Sequence, residues 1–294
     1  MSDTVAGTLS PPADSMGASL LRAFQSNKTS WVGLAILVLA ILAAVFAPLI
    51  APQDPLAQNI LDRLKPPSAE HWLGTDYFGR DTMSRLLRGA RFSLIIGVAA
   101  TLIATVIGAA IGMFAGWRGG RIDAATMLAM DILLAFPTLI LGLMIVAMLG
   151  PSMPNIIAAI ALTSIPTFAR VARAPTIVMK SRDFVEASRA LGYSDLRILA
   201  RHILPNILSE ILVMATLWLA NAIRTEASLA FIGLGLKPPT PTWGGMIREG
   251  FDNILDSPWL AIVPGIAILL VVFALNLLGD GLRDAIDPRL RDGT

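Results

Sequence analysis

Six long apolar runs divide the chain, and polar segments of unequal length separate them. The runs are about 17 to 30 residues long, which fits the roughly 20 residues that an α-helix needs to cross a bilayer core. They cover residues 31–50, 92–117, 122–149, 155–171, 207–236 and 259–278. This pattern predicts an all-α integral membrane protein with six transmembrane helices.

Composition supports this class of protein. Hydrophobic residues make up 55% of the 294 residues, charged residues make up 15%, and the mean hydropathy is +0.68. These values exclude an ordinary soluble domain. The net charge of +2 gives no indication of nucleic-acid binding, so we interpret the basic residues as topology signals. Cysteine is absent, which excludes disulfide bonds and thiolate metal sites.

Charged residues near the ends of the runs predict the orientation of the spans. Segment 170–201 holds seven basic and three acidic residues, an excess typical of a cytoplasmic loop. Arg22 and Lys28 precede the first run and favour an N-terminus on the same side. Six spans then return the C-terminus to the cytoplasm. The glycine- and proline-rich segments 150–154 and 237–244 become tight outer turns.

The longest polar insert, residues 52–90, lies outside in this topology. It contains a glycine-rich turn, followed by an amphipathic helix that begins near Asp81. The basic residues expected at the membrane surface are Arg80, Arg85, Arg88 and Arg91. Their number opposes the positive-inside trend, and we keep the assignment because Asp76 and Asp81 partly balance their charge.

A pair of glycines in the second run bears on helix packing. Gly108 and Gly112 have the spacing that lets membrane helices approach closely. The general abundance of glycine in membrane helices explains the pair equally well. Both interpretations stay open on the sequence.

The polar stretch that begins at Asp183 has a predicted structure of its own. Asp183 can cap a short helix, with Glu186 three residues later completing a capping box. Gly192 suits the left-handed turn that ends such a helix. The first of two short helices is therefore expected between these residues.

The second short helix is expected to begin after Ser194 and to end at Pro205. Serine is a good N-cap, and proline stops a helix because it has no N–H and crowds the preceding turn. The apolar residues expected on one face are Leu196, Leu199, Ala200 and Ile203. Two short helices held off the membrane would fit a groove in a soluble partner.

Six residues of this stretch form a recognisable pattern: Glu186, Ala187, Ser188, Gly192, Leu204 and Pro205. The pattern resembles the EAA loop of ABC importer permeases. It departs from the usual form at Ser188, where a second alanine is common, and at His202, where isoleucine is common. The resemblance implies a type I ABC importer permease fold, in which these helices are coupling helices that dock on an ATP-binding subunit. It implies an ATPase-coupling role for the six residues and for Asp183.

Strings outside this loop extend the match. They occupy residues 73–76 with 79–81, residues 238–244 and residues 276–288. These strings resemble the C-type permease subunits of the dipeptide, oligopeptide and nickel branch of that family. The likeness covers about residues 31–289.

The resemblance and the spans together give an expected organisation in four parts. A cytoplasmic tail occupies residues 1–28, and the first transmembrane helix with its external loop occupies residues 29–90. The core permease domain covers residues 91–282 and contains the coupling loop 181–206. A second cytoplasmic tail occupies residues 283–294.

The resemblance also implies partners and a solute class. The expected partners are a second permease subunit in a heterodimer, two ATP-binding cassette subunits that hydrolyse ATP with Mg²⁺, an extracytoplasmic solute-binding protein and the bilayer of a bacterial inner membrane. The expected solutes are di- or oligopeptides. Nickel chelates, glutathione and opine-like compounds are the alternative.

The chain carries no catalytic motif that we recognise. GxxxxGK[ST], HExxH and GxSxG strings are absent, so we expect a non-catalytic subunit that binds no cofactor itself. His71 and His202 are the only histidines, and their separation in sequence does not favour a metal pair. An ion-driven secondary transporter is the less favoured alternative, because it would need buried carboxylates or broken helices at mid-membrane.

Polar residues within the runs are candidates for a solute pathway or its vestibule. Asp131 could line a pathway, but an ion pair with Arg118 or Arg121 is favoured. Asn276 is expected to form a hydrogen bond between helices.

Two further candidates are Arg224 and Glu226. Arg224 lies 19 residues after Pro205, about 28 Å along a helix and therefore near the outer surface. Both residues would border an outer vestibule or an interface. A local ion pair and a contact with solute are equally supported.

Overall fold

The computed structural model describes residues 28–286. The predicted N-terminal tail lies outside the described residues except for Lys28, and so does the predicted C-terminal tail beyond residue 286. The α-helices of the described residues are α1 (Lys28–Ile50), α2 (Thr82–Arg118), α3 (Gly120–Leu134), α4 (Thr138–Leu149), α5 (Met153–Lys180), α6 (Asp183–Ala190), α7 (Asp195–Ile198), α8 (Leu204–Leu229), α9 (Trp243–Phe251) and α10 (Trp259–Ile286). Two π-helical turns, Leu199–Ile203 and Ala230–Leu234, lie at the two ends of α8.

The long helices confirm the predicted membrane architecture. Five helices of the described part are long and apolar enough to cross a bilayer, and the bent pair formed by α3 and α4 makes six. One of the five runs continuously from Asp195 to Leu234 and includes α7, α8 and both π-turns.

The third predicted span is not a single helix. α3 and α4 meet at an angle of 85° within the run 122–149. Pro137 is the N-cap of α4 with an extended ψ of 126°. Proline supplies no N–H to the preceding turn and disfavours helical geometry at the residue before it, so the helix breaks there.

The helix predicted near Asp81 and the second span are one helix, α2. The Asp81 carboxylate accepts a hydrogen bond of 2.8 Å from the Ser84 N–H and caps this helix. Its 37 residues are about 55 Å long, which exceeds a bilayer core of about 30 Å. Part of α2 is therefore expected to extend beyond the bilayer core.

The centre of the bundle is the contact between α2 and α5. A methyl group on Gly112 would lie 2.0 Å from the carbonyl oxygen of Ala169, and one on Gly108 would lie 2.7 Å from that of Ile165. The two glycines thus let the backbones touch, which confirms the close-packing interpretation of their spacing. The main apolar cluster continues from this contact and includes Ile96, Ala100, Ala104, Ile160, Phe168 and Leu229.

The bundle has two distinct ends. At one end, which we call the coupling end, the Lys180 ammonium donates to the carbonyl of Trp117 and α6 and α7 follow directly. At the other, which we call the outer end after the topology predicted from the sequence, α9 packs between the start of α2 and the start of α10. α8 connects the two ends.

Candidate functional site

The turn between α6 and α7 has the geometry that the sequence predicts. Gly192 has φ of +78°, and its N–H donates to the Arg189 carbonyl at 2.9 Å. The Tyr193 N–H donates to the Ser188 carbonyl at 3.1 Å. These two bonds form a Schellman motif, which confirms the left-handed turn at Gly192.

The predicted caps have different outcomes. Ser194 is the N-cap of α7 and accepts from the Arg197 N–H at 3.4 Å, as predicted. The capping box at Asp183 is wrong, because extended Arg182 is the N-cap of α6 and provides no side-chain cap. Asp183 and Glu186 instead lie exposed in the first turn, where carboxylates are favoured by the partial positive charge of the helix end.

The predicted apolar face of the second helix is confirmed at Ile203, which is buried, and at Leu199, which packs against the same cluster. It is wrong at Leu196 and Ala200. Ile198 and Ile203 are fully buried, whereas Leu196 is 76% exposed and Ala200 is exposed. The cause is the π-turn at Leu199–Ile203, in which residues five apart share a face.

Pro205 does not end this helix. It occupies the first turn of α8, where a missing N–H does little harm, and the helix continues to Leu234. The Leu204 N–H donates to the Leu199 carbonyl across the wide turn, which carries the chain past the proline. Leu204 itself is half-buried and Pro205 is exposed.

The segment 183–205 therefore has two different sides. Toward the bundle, Val185, Ile198 and Ile203 are fully buried in an apolar cluster that also contains Trp117 and Ile207. The side chains that remain exposed away from the bundle include Phe184, Glu186, Ala187, Leu191, Tyr193 and Leu196. Ser188 is buried and donates from its hydroxyl to the Phe184 carbonyl at 2.7 Å.

Charged and aromatic contacts lie within this segment, between it and α2, and directly before it. The Arg189 guanidinium lies over the Trp117 ring at 4.6 Å, and Tyr193 stacks on His202 with ring centres 6.1 Å apart. Directly before the segment, Arg173 of α5 binds both carboxylate oxygens of Asp123 on α3 at 2.5 Å. The segment therefore contacts α2 through Trp117, and α5, which precedes it in the chain, is joined to α3.

The candidate pathway residues do not form one site in the described part of the chain. Asp131 pairs with Arg170 of α5 instead of Arg118 or Arg121, so the favoured pairing is wrong. Both members of the pair are 52% exposed. Asn276 is exposed on α10, and its side chain forms no hydrogen bond with another described residue, so the interhelical bond expected for it stays a prediction.

Arg224 and Glu226 do not form an ion pair, since residues two apart point to nearly opposite faces of a helix. Arg224 is exposed and donates to the Asn221 side chain. Glu226 is 1% exposed and accepts from the Ser93 hydroxyl at 3.1 Å, beneath the first residue of α9. The same hydroxyl accepts from the Trp243 N–H at 3.2 Å. Glu226 therefore links α8, α2 and α9 rather than facing a vestibule.

A buried ion cluster at the outer end was not predicted. Arg80 and Arg85 are each 2% exposed, so they are enclosed by protein rather than presented on its surface. Both donate to Oε2 of Glu249, at 2.9 and 2.8 Å, and both contact Oδ2 of Asp76. Asp76 and the two arginines were visible as charges in the sequence, but Glu249 follows 164 residues after Arg85 and gave no signal of its own.

Comparisons with known proteins identify the family. The family model of the binding-protein-dependent transport system inner membrane component matches residues 108–292. A model of the N-terminal transmembrane domain of oligopeptide transport permease C matches residues 15–67.

Similar proteins and a solved structure agree with this. The dipeptide transport system permease protein of Alkalihalophilus pseudofirmus is 42% identical over 286 residues, covering 96% of this chain and 94% of the relative. The di/tripeptide permease of Pseudomonas aeruginosa is 43% identical (92% and 91% covered), and the glutathione permease of Escherichia coli is 44% identical (92% and 89%). The inward-facing MetNI methionine ABC transporter matches with a TM-score of 0.57 at 18% identity, over 70% of this chain and 98% of that chain, which shows the fold. The chain thus belongs to the inner-membrane components of binding-protein-dependent transport systems, as a permease subunit of an ABC importer.

Proposed function

We propose that this chain forms half of the translocation pathway of a peptide importer and that α6 and α7 carry movement from ATPase subunits to the spans. The two-sided packing of the segment 183–205 carries this proposal. Val185 and Ile198 are 0% exposed, whereas Leu191 and Leu196 are 73% and 76% exposed. A soluble partner that covers the exposed side chains would therefore press on side chains seated in the core of the bundle.

Continuity of the helices supports the same role. α7 passes through the π-turn at Leu199–Ile203 directly into α8, which continues to Leu229, so displacement of α7 would displace a whole span. The proposed coupling residues are Asp183, Glu186, Ala187, Ser188, Gly192, Leu204 and Pro205. Binding and hydrolysis of ATP with Mg²⁺ are assigned to the partner subunits, and this chain is proposed to be non-catalytic.

The proposed solutes are di- or oligopeptides. Two of the similar proteins are named for dipeptides and di/tripeptides, which supports this class. Glutathione is the second candidate, since another relative of similar identity is named for it. A different permease subunit, two ATPase subunits and an extracytoplasmic solute-binding protein complete the proposed assembly.

The proposed orientation places the coupling end and both termini in the cytoplasm of a bacterial cell. The basic excess of segment 170–201 supports it, because cytoplasmic loops are enriched in Lys and Arg. α9 and the proline-rich turn then face outward.

Single-cysteine variants test the orientation, since the chain has no cysteine of its own. Leu255, at the outer end, is 96% exposed, and Leu191 is 73% exposed. A membrane-impermeant maleimide should label Leu255→Cys in intact cells and Leu191→Cys only after permeabilisation. The reverse labelling pattern would overturn the orientation.

The same variants test coupling in the assembled transporter. A short thiol–amine cross-linker on Leu191→Cys should capture an ATPase subunit, whereas Leu255→Cys should not. If Leu191→Cys captures no ATPase subunit, the coupling role fails. ATP-dependent uptake of radiolabelled alanyl-alanine by the reconstituted transporter tests the solute class separately.

A further inference from the structure

A cavity of about 320 Å³ lies at the outer end, between the end of α8, the proline-rich turn and α9. Its volume falls within the range of about 300–1,000 Å³ that is usual for small-molecule sites. The lining includes Gly233, Pro238, Thr240, Arg248, Glu249 and Asp252. The cavity lies at the opposite end of α8 from residues 183–205, which we call the coupling segment.

Arg248 gives this cavity a positive charge. It is exposed and has no ion-pair partner in the part of the chain that the structure describes. Its guanidinium lies directly against the backbone of Gly233, where a methyl group would stand 1.7 Å from Nη1. Gly233 has φ of +104°, which favours glycine. The glycine at the end of α8 thus makes room for the guanidinium.

Two carboxylates line the same cavity. Asp252 follows Arg248 by four residues on the helical surface, a spacing at which opposite charges commonly pair. No such pair forms, because the guanidinium is turned toward Gly233. Glu249 uses Oε2 for both of its bonds to Arg80 and Arg85, so its Oε1 is left for other donors.

The charges of the cavity are separated yet nearly balanced. Arg248 offsets Asp252, and the cluster of Asp76, Arg80, Arg85 and Glu249 is neutral in sum. Such a site favours a solute that carries both charges over one that carries a single charge. A guanidinium binds a carboxylate through two parallel hydrogen bonds, and carboxylate oxygens accept from an ammonium group.

We propose that this cavity is a binding site on the permease for zwitterionic peptides, with Arg248 holding the terminal carboxylate and Asp252 and Glu249 holding the terminal ammonium. This rests on the proposed peptide import and deepens it. Solute recognition would then occur twice, first in the receptor and again at the outer end of this chain.

The test uses the complete transporter, purified through this chain and reconstituted with its receptor in excess. Uptake of alanyl-alanine and of alanyl-alanine amide is measured, and each rate is divided by receptor occupancy from calorimetry. Wild type should favour the free dipeptide about tenfold, the usual scale of a charge-assisted hydrogen bond. Arg248→Gln should remove this preference by slowing the free dipeptide alone, and Arg248→Lys should restore part of it.

Arg88→Gln is the matched control, since Arg88 is at the same end but lines a different cavity. It should leave the preference unchanged. Equal corrected rates for both solutes in wild type would overturn the site, and so would an undiminished preference in Arg248→Gln. In either case, uptake of alanyl-alanine by wild type would leave the proposed function standing. Failure of wild type to take up any peptide would overturn the proposed function itself, together with the site. If Arg248→Gln does not assemble, the wild-type preference alone decides.

Discussion

Arg173 binds Asp123 through two parallel hydrogen bonds, from Nε to Oδ1 and from Nη2 to Oδ2, each of 2.5 Å. The residues are 50 positions apart and join α5, which leads into the coupling segment, to α3, the first half of the bent pair. Bidentate pairs of this kind fix the relative orientation of the two side chains and strengthen the interaction between them. The pair therefore ties the bent span to α5, the helix that directly precedes α6.

We predict that Asp123→Asn lowers the free energy of unfolding by about 1–2 kcal/mol, because a charge-assisted bond is lost at a site that is 13% exposed on the aspartate. Asp131→Asn is the matched control, since both partners of its pair are 52% exposed. We expect a loss below about 1 kcal/mol there. Thermal unfolding of both variants in detergent, compared with wild type, provides the measurement. Equal losses would contradict a special role for Asp123.

Hydropathy was sufficient to predict the spans, because bilayer thickness fixes the length of an apolar run. It could not predict where helices continue beyond the bilayer core, as is expected of α2. Nor did it identify the bend at Pro137, since the apolar run passes through it without a polar interruption. Where a helix breaks or continues depends on backbone geometry, and the pattern of apolar residues carries no information about that geometry.

In the coupling segment, too, the features set by nearby residues could be predicted from the sequence, whereas others could not. The turn at Gly192 and the cap at Ser194 could be predicted because their hydrogen bonds join residues within five positions. The π-turn could not, because an α-helical period assigns Leu196 to the face that Ile198 and Ile203 in fact occupy. The ion pairs to Glu249 join residues far apart in sequence and needed the tertiary structure.

Close packing of α2 on α5 gives the second prediction. Gly112→Val should prevent stable folding, because even a Cβ atom would stand 2.0 Å from the Ala169 carbonyl oxygen and the backbones would have to separate. Gly265→Ala is the control, since no atom lies within 4 Å of its added methyl. Size-exclusion profiles in detergent should show loss of the folded peak for Gly112→Val alone. A folded Gly112→Val protein would contradict the packing argument.

The third prediction concerns pH. Burial raises the pKa of Glu249 above its ordinary value of 4.5, although the nearby Arg80 opposes the shift. Between 4.5 and the raised value, the folded chain holds a proton that the unfolded chain releases. The contribution of Glu249 to the free energy of unfolding is therefore fully present at lower pH and is lost as the pH rises through that window.

Glu249→Gln removes this titration. We expect the difference in unfolding temperature, wild type minus variant, to decrease as the pH rises from 4.5 through the window. Thermal scans of both proteins at half-unit pH steps measure it. A difference that increases with pH would refute the assignment.

The fourth prediction separates backbone strain from coupling. Gly192→Val and Gly150→Val each place a β-branched residue at positive φ, +78° and +85°, where no atom lies within 4 Å of the added Cβ. Each should cost at least about 1–2 kcal/mol of stability. Only Gly192→Val should raise the number of ATP molecules hydrolysed per peptide imported, because Gly150 lies in the turn between α4 and α5, away from the coupling segment. An equal rise in both variants would assign the effect to strain alone.

The fifth prediction uses the two sides of the coupling segment. Ile203→Ala should lower stability by about 2–4 kcal/mol, because it removes a fully buried side chain from the cluster beneath α6 and α7. Leu196→Ala should change stability by less than about 0.5 kcal/mol, since that side chain is 76% exposed. If Leu196 contacts the ATPase subunit, its truncation should instead weaken retention of that subunit during purification. Thermal unfolding and subunit stoichiometry, measured on the same preparations, distinguish the two effects. A Leu196→Ala transporter that keeps its full complement of ATPase subunits and its wild-type uptake would remove this residue from the proposed docking surface.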